Sequence, residues 1–299
     1  MISAERPTPE NSPILPYLLH SPASQTMPVV FASPHSGAFY PPAFLATARL
    51  DLTTLRRSED CVVHELFAAA PALGAPLLAA LFPRSYVDPN RDAAELDPKM
   101  FEDALPPGAN TASPRVAAGL GVVPRVVATG EEIYAGRLRY ADAAERIERF
   151  WRPYHAALAA EIEATRRRFG FCVLIDCHSM PSAGGPLECG MAWDRVDVVL
   201  GDCRGTACAP ALTDRVESVL RRLCYTVARN NPYSGGFVTQ HYGRPVAGVH
   251  ALQIELNRGL YLDEASLRRG PGFARLAEDM AELIRDLSTL SLGLAAAAE

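Results

Sequence analysis

The sequence has no long hydrophobic run, no excess of positive charge and no strong compositional bias, and each absence excludes a class of protein. No uninterrupted apolar stretch reaches the roughly 18 residues that a membrane-spanning helix needs. The 29 basic and 34 acidic side chains leave a formal net charge of −5, which lacks the basic excess of a nucleic-acid binder. With 48% hydrophobic and 21% charged residues, the composition is that of a globular chain rather than of a disordered, fibrous or coiled-coil protein.

The cysteines show no paired Cys-x-x-Cys pattern of the kind that binds structural zinc. Their number, seven, is odd, so they cannot all pair within the chain. Residues 1–10 contain acidic residues and prolines where a secretory leader would be apolar. We therefore expect a reduced, cytoplasmic protein with neither a membrane nor a nucleic acid as partner.

The chain shows no internal repeat and no linker between domains. Its 299 residues allow one large or two small domains at about 150 residues each. We expect a surface-wrapping segment over residues 1–28 and a single α/β domain over residues 29–299.

Short apolar runs alternate with helical patterns along the chain. The predicted strands span residues 29–33, 75–81, 84–87, 171–177, 196–200, 225–228 and 249–256. The predicted helices span residues 58–73, 139–169 with an interruption near Pro153, 212–223 and 272–287. Residues 92–120 lack periodicity and are expected to be irregular. This alternation predicts an α/β sheet wrapped by helices, with the nearly continuous apolar run 171–177 as a central strand.

Polar residues stand at the ends of three predicted strands that are far apart in sequence. They are His35, His178 and Glu255. Ligands of open α/β sheets bind outside the carboxyl ends of the strands. The three segments are therefore expected to converge on one pocket.

These residue types match the requirements of metal-assisted hydrolysis. Two imidazoles and one carboxylate are a common zinc set that leaves a position for water, and a second carboxylate moves the proton of that water. His35 and His178 supply the imidazoles, and Glu255 is the candidate proton shuttle. The acidic ligand is either Asp60 or Glu59. Manganese, iron or cobalt would also suit such ligands.

Each of these residues also has a structural interpretation. Asp60 would complement the dipole of a helix start, and Glu255 would form a salt bridge with Arg258. A histidine in a loop, as His35 is, is commonly a surface residue. Five other histidines compete as ligands, and His64 is the strongest because it follows Asp60 by one helical turn. These competitors are His20, His64, His155, His241 and His250.

Two further segments carry groups that suit an acidic substrate. Arg84 and Arg91 bracket a short stretch that includes Asn90, and guanidinium groups bind carboxylates through a planar fork. The alternative is a surface ion-pair network. The loop 230–236 contains Asn230, Tyr233 and two glycines that would permit close approach to a ligand, and its alternative is an ordinary turn. No Gly-x-Ser-x-Gly elbow surrounds a serine beside either histidine, which disfavours a serine hydrolase.

Six segments in order resemble the N-formylglutamate amidohydrolase family over residues 29–264. They are SPHSG (33–37), RSYVDPNR (84–91), GLGVVPR (119–125), IDCHSMPS (175–182), NNPYSGGFVTQHYG (230–243) and ALQIELNRGLYLDE (251–264). The resemblance implies a three-layer α/β/α sandwich with a mixed sheet, like that of the zinc carboxypeptidases and aspartoacylases. It also implies one catalytic zinc per chain and hydrolysis of N-formyl-L-glutamate to formate and L-glutamate, a step of histidine breakdown.

The same resemblance implies roles for individual residues. His35 and His178 match the histidine ligands, Asp60 matches an acidic position of the family, and Glu255 corresponds to the general base. The carboxypeptidase pattern has its acidic ligand three positions after the first histidine, where this chain has Ala38.

Residues of two segments correspond to substrate contacts. Arg84 resembles the arginine that polarises the substrate carbonyl in the related aspartoacylases, and Asn90 and Arg91 resemble the pair that binds the substrate carboxylate in those enzymes. Arg258 and the 230–236 loop, with Asn230 and Tyr233, are expected to complete the substrate site.

Two other functions remain open from the sequence. The first is a deacylase of the same fold that acts on another N-acyl amino acid or on a peptide. The second is a catalytically inactive amino-acid-binding protein, which would have no use for a proton shuttle beside a metal site.

Overall fold

A computed structural model describes residues 15–183 and 196–290 of the chain. Its main feature is a seven-stranded sheet. The strands are β1 (Tyr17–His20), β2 (Val29–Ser33), β3 (Leu77–Ala80), β4 (Cys172–Met180), β5 (Val198–Gly201), β6 (Val227–Arg229) and β7 (Val249–Asn257). A separate two-stranded ribbon consists of β8 (Leu262–Asp263) and β9 (Arg268–Arg269).

The helices are short before residue 140 and longer after it. They are α1 (Pro42–Thr47), α2 (Leu52–Arg56), α3 (Val63–Leu66), α4 (Pro114–Ala117), α5 (Tyr140–Arg146), α6 (Arg152–Phe169), α7 (Pro210–Arg222), α8 (Phe237–Tyr242) and α9 (Phe273–Leu287). In the part of the chain that the structure describes, no helix is both long enough and apolar enough to cross a bilayer.

The sheet is mixed, with the spatial order β1-β3-β2-β4-β7-β5-β6. The strands β3, β2, β4 and β7 run parallel to one another. The edge strand β1 is antiparallel to β3, and β5 is antiparallel to β7. The carboxyl ends of the four parallel strands therefore meet at one edge of the sheet, as expected.

Helices cover both faces of the sheet. Alternate residues of β4 point to opposite faces: Val173 and Ile175 pack in the core with α3, α7 and α9, whereas Leu174 packs in the core with α6. Every residue of β4 is buried, which confirms that this run is a central strand. The three-layer α/β/α architecture predicted from the sequence is confirmed.

The long helical pattern over 139–169 is confirmed, including its interruption. A π-turn at Ile147–Trp151 joins α5 to α6 immediately before Pro153. Proline has no backbone N–H for the α-helical hydrogen bond, and an inserted π-turn accommodates that loss.

Two predicted elements are wrong. Of the helix over 58–73 only α3 forms, because the backbone of Val62 adopts a left-handed conformation (φ 55°) that no helix continues through. The strand over 84–87 is a turn, in which the amide of Tyr86 donates to the carbonyl of Pro83 at 3.0 Å. Both segments lie beside the site described below.

Residues 92–120 are largely irregular, as predicted, with only a 3₁₀ turn (Pro98–Met100) and α4. Of the expected surface segment 1–28, residues 1–14 lie outside the described residues. Tyr17–His20 forms the edge strand β1, and Met27 is fully buried.

Candidate metal centre and active-site cavity

His35, Asp60 and His178 meet at the carboxyl edge of the sheet and are all buried. The Nδ1 atoms of both imidazoles face the same carboxylate oxygen, Oδ2 of Asp60, at 3.4 Å for His35 and 2.8 Å for His178. The two ring centroids are 4.7 Å apart. The potential ligand atoms of the three residues lie within 4.8 Å of one another, so this group can hold one metal ion.

Local structure explains why three distant segments meet. His35 lies two residues after the end of β2, and His178 lies inside β4, the neighbouring strand. The backbone amide of Asp60 donates to the carbonyl of His35 at 3.0 Å, which ties the segment after α2 to the end of β2. After Asp60, the left-handed conformation of Val62 turns the chain into α3.

The geometry distinguishes between the two acidic candidates of the sequence. Glu59 points away from the imidazoles and accepts hydrogen bonds from the Tyr40 hydroxyl (2.7 Å) and from Nε of Arg56 (3.2 Å). Asp60 alone of the two lies with the histidines.

Each imidazole is oriented by a second carboxylate. Nε2 of His35 lies 2.8 Å from Oδ1 of Asp88, and Nε2 of His178 lies 2.9 Å from Oδ1 of Asp176. Histidines that bind metals commonly donate the other ring N–H to a carboxylate in this way. With Nε2 as the donor, Nδ1 of each ring would present its lone pair to a cation bound at the shared point.

One buried atom of this group is left without a hydrogen bond. Among the described residues, Nδ1 of His35 has no hydrogen-bond partner. A buried nitrogen lone pair beside a carboxylate and a second imidazole is a suitable donor for a cation. The residues present therefore fit a metal ion.

Asp60 is held in its ionised form. Burial alone would raise its pKa, but the neighbouring imidazoles of His178 and His35 hold that pKa well below its usual range. Its other oxygen, Oδ1, accepts a hydrogen bond from Nη2 of Arg258 at 3.0 Å. Asp60 therefore combines the charge and the fixed orientation of an anionic ligand.

Glu255 lies beside this group on the next strand. The register of the parallel strands β4 and β7 pairs Glu255 with His178 and Gln253 with Asp176. Gln253 donates from Nε2 to Oε1 of Glu255 at 2.7 Å. Burial raises the pKa of Glu255 to about 7, although the charge of His178 opposes the shift. A carboxyl group that titrates near neutrality is suited to proton transfer.

A cavity of about 360 Å³ opens over these residues. Nine of the ten site residues predicted from the sequence contribute to its lining. They are His35, Asp60, Arg84, Asn90, Arg91, His178, Tyr233, Glu255 and Arg258.

Asn230 is the exception. It lies outside the lining, and its side chain donates to Oδ1 of Asp202 at 2.8 Å and accepts from the amides of Asp202 and Arg204. Asn230 therefore stabilises its own loop and does not line the cavity. Gly236 of the same loop approaches another side chain, since a Cβ there would overlap the amide of Asn90.

Two of the arginines that line the cavity are paired with carboxylates. Nη2 of Arg84 donates to Oδ2 of Asp88 at 2.8 Å. Arg258 uses its three nitrogens on Asp60, on Oγ of Ser179 (3.1 Å) and on the carbonyl of Arg57 (3.2 Å). These contacts orient Asp88 and Asp60 from the side opposite the imidazoles.

None of the competing histidines lines this cavity. His155 is bonded to the Tyr242 hydroxyl and to the carbonyl of Pro89, and His250 is bonded to the amide of Ala209. His64, on α3, is not part of the group that can hold a metal.

Sequence reasoning missed four side chains of the site, one of which is Asp88 in the segment between Arg84 and Arg91. Asp176 and Gln253 precede His178 and Glu255 by two positions in strands, so the two-residue period of a strand places them on the same face and identifies them. Arg115 lines the cavity from the irregular segment, where no sequence pattern indicates it.

Comparisons with known proteins identify the family. A sequence model of the N-formylglutamate amidohydrolase family matches residues 27–262. The chain is 31% identical over 244 residues to the N-formylglutamate deformylase of Pseudomonas putida, with 80% of this chain and 83% of that protein covered. It is 33% identical over 268 residues to the N-formylglutamate deformylase of Pseudomonas aeruginosa, with 87% and 91% covered.

Solved structures show the same relationship. The crystal structure of N-formylglutamate amidohydrolase from Ralstonia eutropha JMP134 is similar with a TM-score of 0.84 and 39% identity, over 92% of this chain and 98% of that chain. A gene product of Agrobacterium tumefaciens shares the fold, with a TM-score of 0.63 at 19% identity, over 91% of this chain and 94% of that chain. Because the family pattern extends over most of the chain, this protein belongs to the N-formylglutamate amidohydrolase family.

Proposed function

We propose that this protein hydrolyses N-formyl-L-glutamate to formate and L-glutamate, with one zinc ion held by His35, Asp60 and His178. Its membership of the family and its similarity to two N-formylglutamate deformylases support this substrate. The observation that carries the proposal is the buried carboxyl of Glu255, which lines the same cavity as the three ligand candidates without being one of them.

The donor set is the reason for choosing zinc. Two imidazoles and one carboxylate form a typical catalytic zinc site with a position left for water. When bound, such an ion lowers the pKa of a water molecule and polarises a carbonyl group.

Glu255 acts as the proton carrier. Its carboxylate takes a proton from the attacking water as the bond between water oxygen and formyl carbon forms. It then delivers that proton to the nitrogen as the C–N bond breaks, which yields formate and the free amine of glutamate. The hydrogen bond from Gln253 fixes the carboxylate oxygen Oε1, so that Oε2 is left to exchange the proton.

Arg84 stabilises the negative charge that develops on the formyl oxygen. Its pairing with Asp88 through Nε and Nη2 fixes the plane of the guanidinium at the cavity wall. A donor that is oriented before the reaction costs no reorganisation when the charge appears.

Arg91, with Asn90 and Tyr233, binds a carboxylate of the substrate. The guanidinium of Arg91 donates to the carbonyls of Leu120 and Asn90, which leaves Nη2 for a ligand. Arg258 is engaged on all three nitrogens, so we assign it to the orientation of Asp60 rather than to substrate.

A substrate panel tests this function. Formate or acetate release is measured with N-formyl-L-glutamate, N-acetyl-L-glutamate and N-formyl-L-leucine. The proposal expects the formyl dicarboxylate to have the highest kcat/KM by at least about 10-fold. Preference for the acetyl compound would indicate a deacylase of the same fold, and binding without release of either acid would indicate an inactive binding protein.

A further inference from the structure

Arg115 lines the cavity but has no part in the reaction proposed above. It lies on α4, within the irregular segment, and its side chain contributes to the lining. Among residues 15–183 and 196–290, no carboxylate forms an ion pair with it.

The four guanidinium groups of the cavity fall into two pairs. Arg84 and Arg258 are each bonded to a carboxylate, as described above. Arg91 and Arg115 are both half-buried, and neither forms an ion pair with a described carboxylate. Burial, which outweighs the opposing charge of Asp88, lowers the pKa of Arg91 to about 10, and the charges of Arg84 and Arg115 contribute to that shift. Arg91 and Arg115 thus line one cavity, each without such an ion pair.

The backbone holds these two arginines as one unit. Nε of Arg91 donates to the carbonyl of Leu120 at 2.9 Å, and the amide of Leu120 donates to the carbonyl of Arg115 at 2.8 Å. The amide of Asp88 donates to the carbonyl of Val122 at 2.7 Å. The irregular segment is therefore fixed directly to the loop that carries Arg91, and the position of Arg115 over the cavity is built into the fold.

We propose that Arg115 binds the second carboxylate of a dicarboxylic substrate, opposite Arg91, and thereby selects glutamate derivatives over derivatives of neutral amino acids. This inference rests on the proposed function and adds a specificity-determining residue to it. The metal group and Glu255 act on the formyl end, so both carboxylates of the substrate have to be bound elsewhere in the cavity.

Charge explains why such a site discriminates. A dianion places one carboxylate against each unpaired guanidinium and relieves their mutual repulsion. A substrate with a single carboxylate leaves one of these cations unpaired in the complex, which a site built to bind both groups penalises strongly.

Kinetics with two monoamides test the inference. Wild type, Arg115→Gln and Arg115→Lys are compared on N-formyl-L-glutamate, N-formyl-L-glutamine and N-formyl-L-isoglutamine. In wild type each amide should lose about 10- to 100-fold in kcat/KM, the effect of one charge-assisted contact. In Arg115→Gln this loss should vanish for one amide and persist for the other, with Arg115→Lys intermediate.

A matched control removes a positive charge outside the cavity. Arg137 is exposed and lines a separate, smaller cavity, so Arg137→Gln should keep both preferences. Undiminished discrimination against both amides in Arg115→Gln, with an unchanged unfolding temperature, would overturn the inference and mean that Arg115 is a solvated surface residue.

Binding provides a readout that does not depend on turnover. Glutarate and butyrate are titrated calorimetrically into wild type and into Arg115→Gln. Wild type should prefer glutarate by about 10-fold or more, and the variant should lose that preference. If wild type releases no formate yet shows this pattern, the proposed reaction fails while the dicarboxylate site stands. Equal binding of both acids by wild type would overturn the dicarboxylate site itself.

Discussion

His178 and Glu255 are register partners on the adjacent parallel strands β4 and β7, and both line the same cavity. Neighbouring strands lie about 4.8 Å apart, so this pairing places a carboxyl group next to a metal-ligand candidate without making it a ligand. Asp176 and Gln253, two residues earlier on the same strands, repeat the pairing and support the two groups. One pair of strands thus carries a candidate metal ligand, the proposed base and the residues that support them.

The substitution Glu255→Gln tests the proton carrier. Glutamine preserves the shape and can still accept from Gln253, but it cannot take a proton, so kcat should fall by about 10² to 10⁴-fold while the bound metal is retained. Steady-state formate release and metal analysis of the same sample check both parts. The matched control Glu282→Gln, on α9, should leave kcat unchanged. A near-normal kcat in Glu255→Gln would show that another group carries the proton.

The outer carboxylates should contribute to metal affinity although they do not touch the ion. Asp88→Asn or Asp176→Asn removes the charge that orients His35 or His178, and each change should weaken metal binding about 10- to 100-fold. Competition with a fluorescent chelator measures the dissociation constant.

Asp202→Asn is the control for this experiment, because Asp202 is a buried carboxylate outside the cavity lining. It should leave metal affinity unchanged even where it lowers stability. Equal affinities for wild type, Asp88→Asn and Asp176→Asn would contradict the roles assigned to both carboxylates.

The pH dependence of stability should reveal the burial of Glu255. In the metal-free protein its pKa is raised from 4.5 to about 7, so the folded state holds this proton more tightly than the unfolded state does. The contribution of Glu255 to the stability of the folded state is therefore fully present below about pH 4.5, and it is lost as the pH rises through about 7.

Glutamine does not ionise at this position. Between pH 4.5 and pH 8, the free energy of unfolding of wild type should therefore fall by about 3 kcal/mol relative to that of Glu255→Gln. Urea denaturation of chelator-treated protein at several pH values measures the difference. Parallel curves for the two proteins would mean that Glu255 titrates normally.

The loop of Arg91 is held by the helix behind it. Nε1 of Trp151, in the π-turn, donates to the carbonyl of Arg91 at 3.0 Å, and Nε2 of His155 lies 2.8 Å from the carbonyl of Pro89. Trp151→Phe removes one of these bonds and should raise KM about 2- to 10-fold with little change in kcat, because the role proposed for this loop is to bind substrate.

Tyr225→Phe is a suitable comparison for Trp151→Phe, since it deletes a hydrogen bond to Asp279 outside the cavity. It should leave KM unchanged. A drop in kcat alone for Trp151→Phe would contradict a positioning role through Arg91.

The sequence predicts the parts of this protein that depend on local patterns. The apolar runs of β4 and β7 and their polar ends identified the central strands together with His178 and Glu255. The choice between Asp60 and Glu59 required the structure, because it depends on the left-handed turn at Val62, which no sequence period indicates. Arg115 escaped prediction for a similar reason, since tertiary hydrogen bonds alone place its irregular segment over the cavity.

The central claim is that one metal ion, bound by His35, Asp60 and His178, is required for hydrolysis. The most direct measurement is formate release from N-formyl-L-glutamate by chelator-treated protein during titration with zinc. The account predicts that activity returns linearly and reaches its maximum at one equivalent of zinc, and that His178→Ala recovers none. Full activity of the metal-free protein, or undiminished zinc binding by His178→Ala, would contradict it.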